Sequence, residues 1–189
     1  SNAWQKTMPR EADCVLNAVS AAAPGVEGYR QSYLEGQKAL MRWARQARIG
    51  TYVYTGATSV YPQQDGQWVD ETAPTDGCPA TAEVLLESEQ VLAAGAPESG
   101  IGRWFILRLA GIYGPGRHYY LDKLRAGESA FDGPADYYVN LVHRDDIASA
   151  VEACFHAPET VRERIYTVAD GAPVTRREVI TWTAETVDA

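Results

Sequence analysis

Three short segments of this sequence gather small residues where a ligand could come close: Asn17-Ala18-Val19-Ser20, Thr55-Gly56-Ala57-Thr58-Ser59 and Ala110-Gly111-Ile112-Tyr113-Gly114-Pro115. Glycine and alanine at such places let the backbone approach a bound molecule that larger side chains would hold off. Tyr61, Tyr113 and His118 are the titratable groups expected beside them. The chemistry open to such groups is proton exchange with a substrate oxygen, which needs a donor of suitable pKa within hydrogen-bond reach. The plainer reading is that the tyrosines line a pocket, and that His143, just ahead of a helix start, is a hydrogen-bonded structural histidine. Three scattered histidines with no matching carboxylate spacing give no metal site. The Asp145-Asp146 pair reads as helix capping, and the aromatic pairs Tyr119-Tyr120 and Tyr137-Tyr138 as packing.

These groups have to be brought together by regular elements. Cys14-Val15-Leu16, within Ala12 to Val19, reads as a strand, after which Pro24-Gly25 breaks the chain. From Tyr29 to Arg48 the apolar residues Tyr29, Tyr33, Leu40, Trp43 and Ala47 recur at helical spacing, with Gly50 as the stop. A β-branched and aromatic run over Thr51 to Thr55 is a second strand, and Gly56 to Pro79 is a loop. Ala82 to Ala94 is a helix with Val84, Leu85, Ser88, Val91 and Leu92 on one face. Trp104 to Leu109 is a third strand, and Ala110 to Arg117 is a loop. Asp146 to His156 is a helix capped by Asp145, and Ile165 to Val168 is another strand. Thr175-Arg176-Arg177-Glu178 has the spacing of a capping box that opens a last helix. Strands alternating with helices in this way predict an α/β fold, a doubly wound parallel sheet with helices on both faces. Ligands of such sheets bind at the carboxyl ends of the strands, where the three small-residue segments fall.

The sequence has 189 residues, 46% hydrophobic and 22% charged, which suits one compact domain. Seventeen basic against 25 acidic residues give a net charge of −8, poor for binding nucleic acid or an anionic membrane. No apolar stretch approaches the length of a bilayer-spanning helix, so a soluble protein is expected, and the cysteine usage points to the cytoplasm. Ser1-Asn2-Ala3 reads as the scar of a cleaved tag, leaving residues 4–189 as a single domain. Cys14, Cys78 and Cys154 have no metal or redox spacing; Cys14 and Cys154 lie among apolar neighbours and are expected to be buried.

Three segments in order resemble one family. Val53-Tyr54-Thr55-Gly56-Ala57-Thr58-Ser59-Val60-Tyr61 resembles the strand and Val-Tyr-Gly loop of the extended short-chain dehydrogenases/reductases, the NAD-dependent epimerase/dehydratase family, with Pro62 in place of the glycine. Arg108-Leu109-Ala110-Gly111-Ile112-Tyr113-Gly114-Pro115 resembles their Arg-x-x-Asn-x-Tyr-Gly-Pro loop, with Gly111 in place of Asn. Val142-His143-Arg144-Asp145-Asp146-Ile147-Ala148 resembles their Val-His-Val-Asp-Asp-Val-Ala segment, and Trp68-Val69-Asp70-Glu71-Thr72 is similar to an acidic stretch of theirs. The resemblance runs from about Asp13 to about Glu185. It implies a Rossmann-like sheet, with part of a small substrate region at 113–145 and 160–189.

Two departures bear on function. The family's glycine-rich pyrophosphate turn does not occur in these residues; Gly100-x-Gly102 lacks a third glycine and precedes a strand. About sixty residues, two strand-helix units, would precede Asp13 in such proteins, so a truncated, N-terminally incomplete chain is expected. The second departure is chemical: the family's Ser, Tyr and Lys positions align with Ala57, Thr81 and Leu85. No catalytic residue is therefore assigned. The resemblance implies NAD or NADP in the full-length protein, and none bound to this chain. It gives Asn17, Ala18, Val19, Thr55, Gly56, Gly111 and Ile112 as cofactor-lining. Ala57, Thr58, Ser59, Tyr61, Thr81, Tyr113 and His118 are its substrate-lining set. It further implies a small-molecule substrate, such as a nucleotide sugar, and a homodimer. The alternative is a non-catalytic dinucleotide sensor or scaffold with the same fold.

Overall fold

The computed structural model describes residues 3–128, 131 and 133–186, so Ser1 and Asn2 of the expected tag scar lie outside the described residues. Strand β1 (Glu11–Asn17) is followed by a nearly continuous helical run: α1 (Gly25–Tyr29), a π-helical turn over Arg30–Leu34, and α2 (Glu35–Ala44). Next come β2 (Arg48–Ala57), α3 (Ala80–Gly95), β3 (Ile101–Leu109), β4 (Gly111–Tyr113) and α4 (Tyr119–Arg125). The rear of the chain holds β5 (Tyr138–Val139), β6 (Leu141–His143), α5 (Arg144–Phe155), β7 (Arg164–Val168), β8 (Val174–Thr175) and α6 (Arg176–Thr186). The main sheet has the order β1-β2-β3-β7, and every pair in it is parallel.

Alternation along the central strands sends side chains into two cores. Tyr52, Tyr54, Trp104 and Ile106 pack with Met41, Trp43 and Ala44 of α2 and Leu92 of α3. Val53, Phe105, Leu107 and Leu109 point the other way, against Val151 and Cys154 of α5. The central strands are thus covered on both faces, as buried parallel strands require. Leu85 is 1% exposed, in a third cluster with Val60, Cys78 and Ala82.

Four expectations are corrected. The long helix ends at Ala44 rather than Arg48, and Gly50 is no helix stop but a residue of β2. A Cβ on Gly50 would stand 2.6 Å from the Asp13 carbonyl oxygen, so the glycine answers to the close approach of β1. Cys14 is exposed, because β1 pairs only with β2 among the described residues and the face bearing Cys14 and Leu16 is left open. Helix α5 begins at Arg144 and is capped by His143, whose Nδ1 accepts from the Asp145 backbone N–H at 3.3 Å; Asp145 is not the cap. The loop assigned to Ala110 to Arg117 contains β4, paired in parallel with β6.

Short ladders at the rear complete the frame. Antiparallel pairing of β5 with β8 sets Tyr138 opposite Thr175, while the Arg176 guanidinium donates to the Gly133 and Pro134 carbonyls at 3.3 and 2.7 Å. These bonds fix the segment carrying Tyr137 and Tyr138 against the start of α6. The Thr175 hydroxyl and Glu178 carboxylate cap each other's backbone N–H groups at 3.2 and 2.7 Å, the reciprocal box its sequence predicts.

Candidate functional site

The carboxyl ends of β1, β2 and β3 lie side by side, with Asn17 opposite Tyr54 and Ala57 opposite Leu109. The cofactor-lining set splits here between exposed and structural residues. Asn17 is buried, its Nδ2 donating to Gln37 Oε1 at 2.8 Å, an oxygen that also accepts from the Tyr52 hydroxyl at 3.2 Å. Thr55 is buried and its hydroxyl donates to the Asn17 carbonyl. A Cβ on Gly56 would meet Glu89 Oε1 at 3.4 Å, and one on Gly111 would meet the Asn140 carbonyl oxygen at 3.1 Å. Both glycines are therefore demanded by neighbouring protein. Ile112 packs against the α5 core, which leaves Ala18, Val19 and the backbone of Gly111 facing outward.

A cleft of about 830 Å³ opens beyond β2, lined by Thr58, Tyr61, Gln63, Trp68, Tyr138 and Thr167 among others. Of the substrate-lining set it contains Thr58 and Tyr61. Tyr113 and His118 line a second opening of about 390 Å³ with Arg117, Arg125 and His143. There His118 caps α4, its Nδ1 accepting from Leu121 N–H at 3.3 Å, and Tyr113 meets the rings of His118 and His143 edge-on. Ser59 is exposed, and Thr81 is half-buried in the first turn of α3. Ala57 packs with Leu85 in the Val60 cluster, with the Tyr61 ring against the same group. The positions aligned with the family's Ser and Lys thus belong to one apolar cluster, as hydrocarbon.

Behind Tyr61 stands a buried charge network that sequence reasoning missed. Arg108 Nε and Nη2 donate to the two carboxylate oxygens of Glu89 at 3.0 and 2.7 Å, and both side chains are about one-twentieth exposed. Arg108 Nη1 donates to the Tyr61 hydroxyl at 3.0 Å, and that hydroxyl lies 2.9 Å from Thr167 Oγ1. Burial acts to lower the pKa of Arg108, but its bonds to Glu89 and Tyr61 and the Glu89 charge outweigh this and raise it above its ordinary value. The one sequence signal for the pair is Glu89 itself, four residues after Leu85 on the buried face of α3. An ionisable group on such a face needs a partner.

A nicotinamide dinucleotide is the group the resemblance implies. The residues present suit one wall of such a site and no more. The outward-facing positions at the strand ends carry no Lys or Arg to meet a diphosphate, and Arg108 is committed to Glu89. No group of three or more metal-ligating side chains exists among the described residues, and no helix there is long and apolar enough to cross a membrane.

Comparison with known proteins agrees with this geometry. The structure superposes on that of a DesIV double mutant, dTDP-glucose 4,6-dehydratase from Streptomyces venezuelae with NAD bound, with TM-score 0.85 and 20% identity. The match covers 100% of this chain and 62% of that one. An NAD-dependent epimerase/dehydratase structure from Methylobacillus flagellatus is 31% identical with TM-score 0.68, over 86% of this chain and 56% of that one. By fold, the chain is similar to these NAD-dependent epimerase/dehydratase structures, and it spans about six-tenths of their length. Among curated proteins it is similar to Protein YeeZ of Escherichia coli K12, 36% identical over 151 residues. That match takes in 79% of this chain, which spans about half the length of the relative. No family model matches the chain.

Proposed function

We propose that this chain supplies the substrate-facing part of an NAD(P)-dependent epimerase/dehydratase-like protein acting on a nucleotide sugar or a similar small polar molecule. The observation that carries the reading is the cleft at the carboxyl end of the parallel sheet, with Thr58 and Tyr61 from the β2 end and Thr167 from β7 in its wall. Open α/β sheets bind ligands there. When bound, the cofactor would carry hydride; this chain's residues would line one side of it and hold the substrate. With Ala57, Thr81 and Leu85 at the positions of Ser, Tyr and Lys, proton transfer does not run through those three places. Full-length protein assayed against a panel of nucleotide sugars, with reduced-cofactor absorbance and product epimers followed, tests the reading. Turnover of any member supports it. Absence of turnover, combined with tight cofactor binding, favours a protein that senses the dinucleotide without chemistry.

A further inference from the structure

The hydroxyls of Tyr61 and Thr167 cannot both be satisfied within the protein bonds they make. Arginine has only N–H donors and no acceptor, so the 3.0 Å contact makes the Tyr61 oxygen an acceptor from Arg108. Tyr61 and Thr167 then hold two O–H protons but share one hydroxyl-hydroxyl contact, at 2.9 Å. One proton is left over, and both residues line the cleft. A ligand that satisfies this wall offers an acceptor to the hydroxyl pair, as a hydroxyl-bearing ring does.

The rest of the lining narrows the class. Trp68, Tyr137 and Tyr138 supply aromatic surface, and Gln64, Gln67 and Asn140 supply amides. Among the described residues, no Asp, Glu, Lys, Arg or His lines the cleft. Behind the wall, Arg108 and Glu89 neutralise each other, the Glu71 carboxylate is held on the Thr167 backbone N–H, and the Arg176 guanidinium is bonded to the Gly133 and Pro134 carbonyls. A carboxylate entering this space would meet no cation among the described lining residues, and leaving a charge unpaired there is costly.

Building on the reading that the cleft takes the substrate, we infer that it selects an uncharged polyhydroxylated ring. The Tyr61–Thr167 hydroxyl pair, braced by Arg108 and Glu89, is the donor that determines this specificity. The pair is redundant by construction. Tyr61→Phe leaves the Thr167 proton free for the ligand, and Thr167→Val frees that of Tyr61.

The test is a titration of this chain with UDP-glucose and with UDP-glucuronic acid, followed by Trp68 fluorescence with Trp68→Phe as the control. UDP-glucose is expected to quench Trp68 and to bind about tenfold more tightly than the uronate. Each single variant should weaken UDP-glucose by less than about threefold, and Tyr61→Phe/Thr167→Val by about tenfold, one hydrogen bond's worth. Both substitutions keep the shape of the side chain, and thermal unfolding checks that the variants fold. Wild-type binding to the double variant, abolition by either single change, equal affinity for the uronate, or no quenching at 10 mM sugar nucleotide would each overturn the assignment. Cofactor titration of full-length protein is independent: NAD bound alongside a silent double variant leaves the family reading intact and removes this one.

Discussion

Glu89 and Leu85 lie one helical turn apart on α3 and are buried to a similar depth, but they hold the fold by different physics. Leu85 contributes through apolar contact with Val60, Cys78 and Ala82, so Leu85→Ala should cost about 2 to 5 kcal/mol in urea unfolding, as core truncations do. Glu89 contributes only as the partner of Arg108. Glu89→Ala strands a buried guanidinium and should cost about 3 to 5 kcal/mol. Glu89→Met with Arg108→Leu, which removes both charges, should recover much of that loss. If the double variant is no more stable than Glu89→Ala, the pair is not the cause. The same residues explain why the site was only half legible in sequence. Tyr61 could be found from its place after a strand, and Arg108 belongs to a recognisable motif, but their connection through Glu89 and Thr167 spans segments that only tertiary structure brings together.

Among the elements, legibility followed length and burial. Strands β2 and β3 and helix α3 each bury apolar residues over nine or more positions, enough for their periodicity to speak. Helix α4 buries no residue and so has no apolar stripe, and β4, β5, β6 and β8 are two or three residues long, too short for alternation to register. The capping box of α6 was legible because it is purely local. It also carries a pH dependence. The Thr175 backbone N–H, and then its hydroxyl, hold the Glu178 carboxyl below its ordinary range. A depressed carboxyl stabilises the folded state fully above the unfolded pKa, about 4.3 for Glu, and loses that contribution as pH falls through the lower folded value. Glu178→Gln keeps an acceptor but cannot titrate. Its deficit against wild type in urea midpoint should therefore be present at pH 7 and shrink on acidification below about pH 4. A deficit independent of pH would assign it to shape alone.

For the whole molecule the question is how much of a dinucleotide site one parallel sheet edge can make. Phosphate recognition at such edges comes from a glycine-rich turn whose backbone N–H groups, together with a helix N-terminus, surround the charge. The turn after β1, by contrast, leads from Asn17, whose side chain is spent on Gln37, to Pro24 and the five-residue helix α1. The glycines at the other strand ends serve packing against Glu89 and Asn140. The protein's net charge of −8 adds a long-range penalty for an anionic ligand. Calorimetric titration of these 189 residues with NAD and NADP is thus expected to give no micromolar binding, whereas full-length protein should bind one of them at least a hundredfold more tightly. That ratio corresponds to about 2.7 kcal/mol supplied by residues outside this chain. Micromolar affinity in the 189-residue chain would mean that Ala18, Val19 and the Gly111 backbone hold the dinucleotide by themselves, and that the pyrophosphate contacts have been placed in the wrong part of the protein.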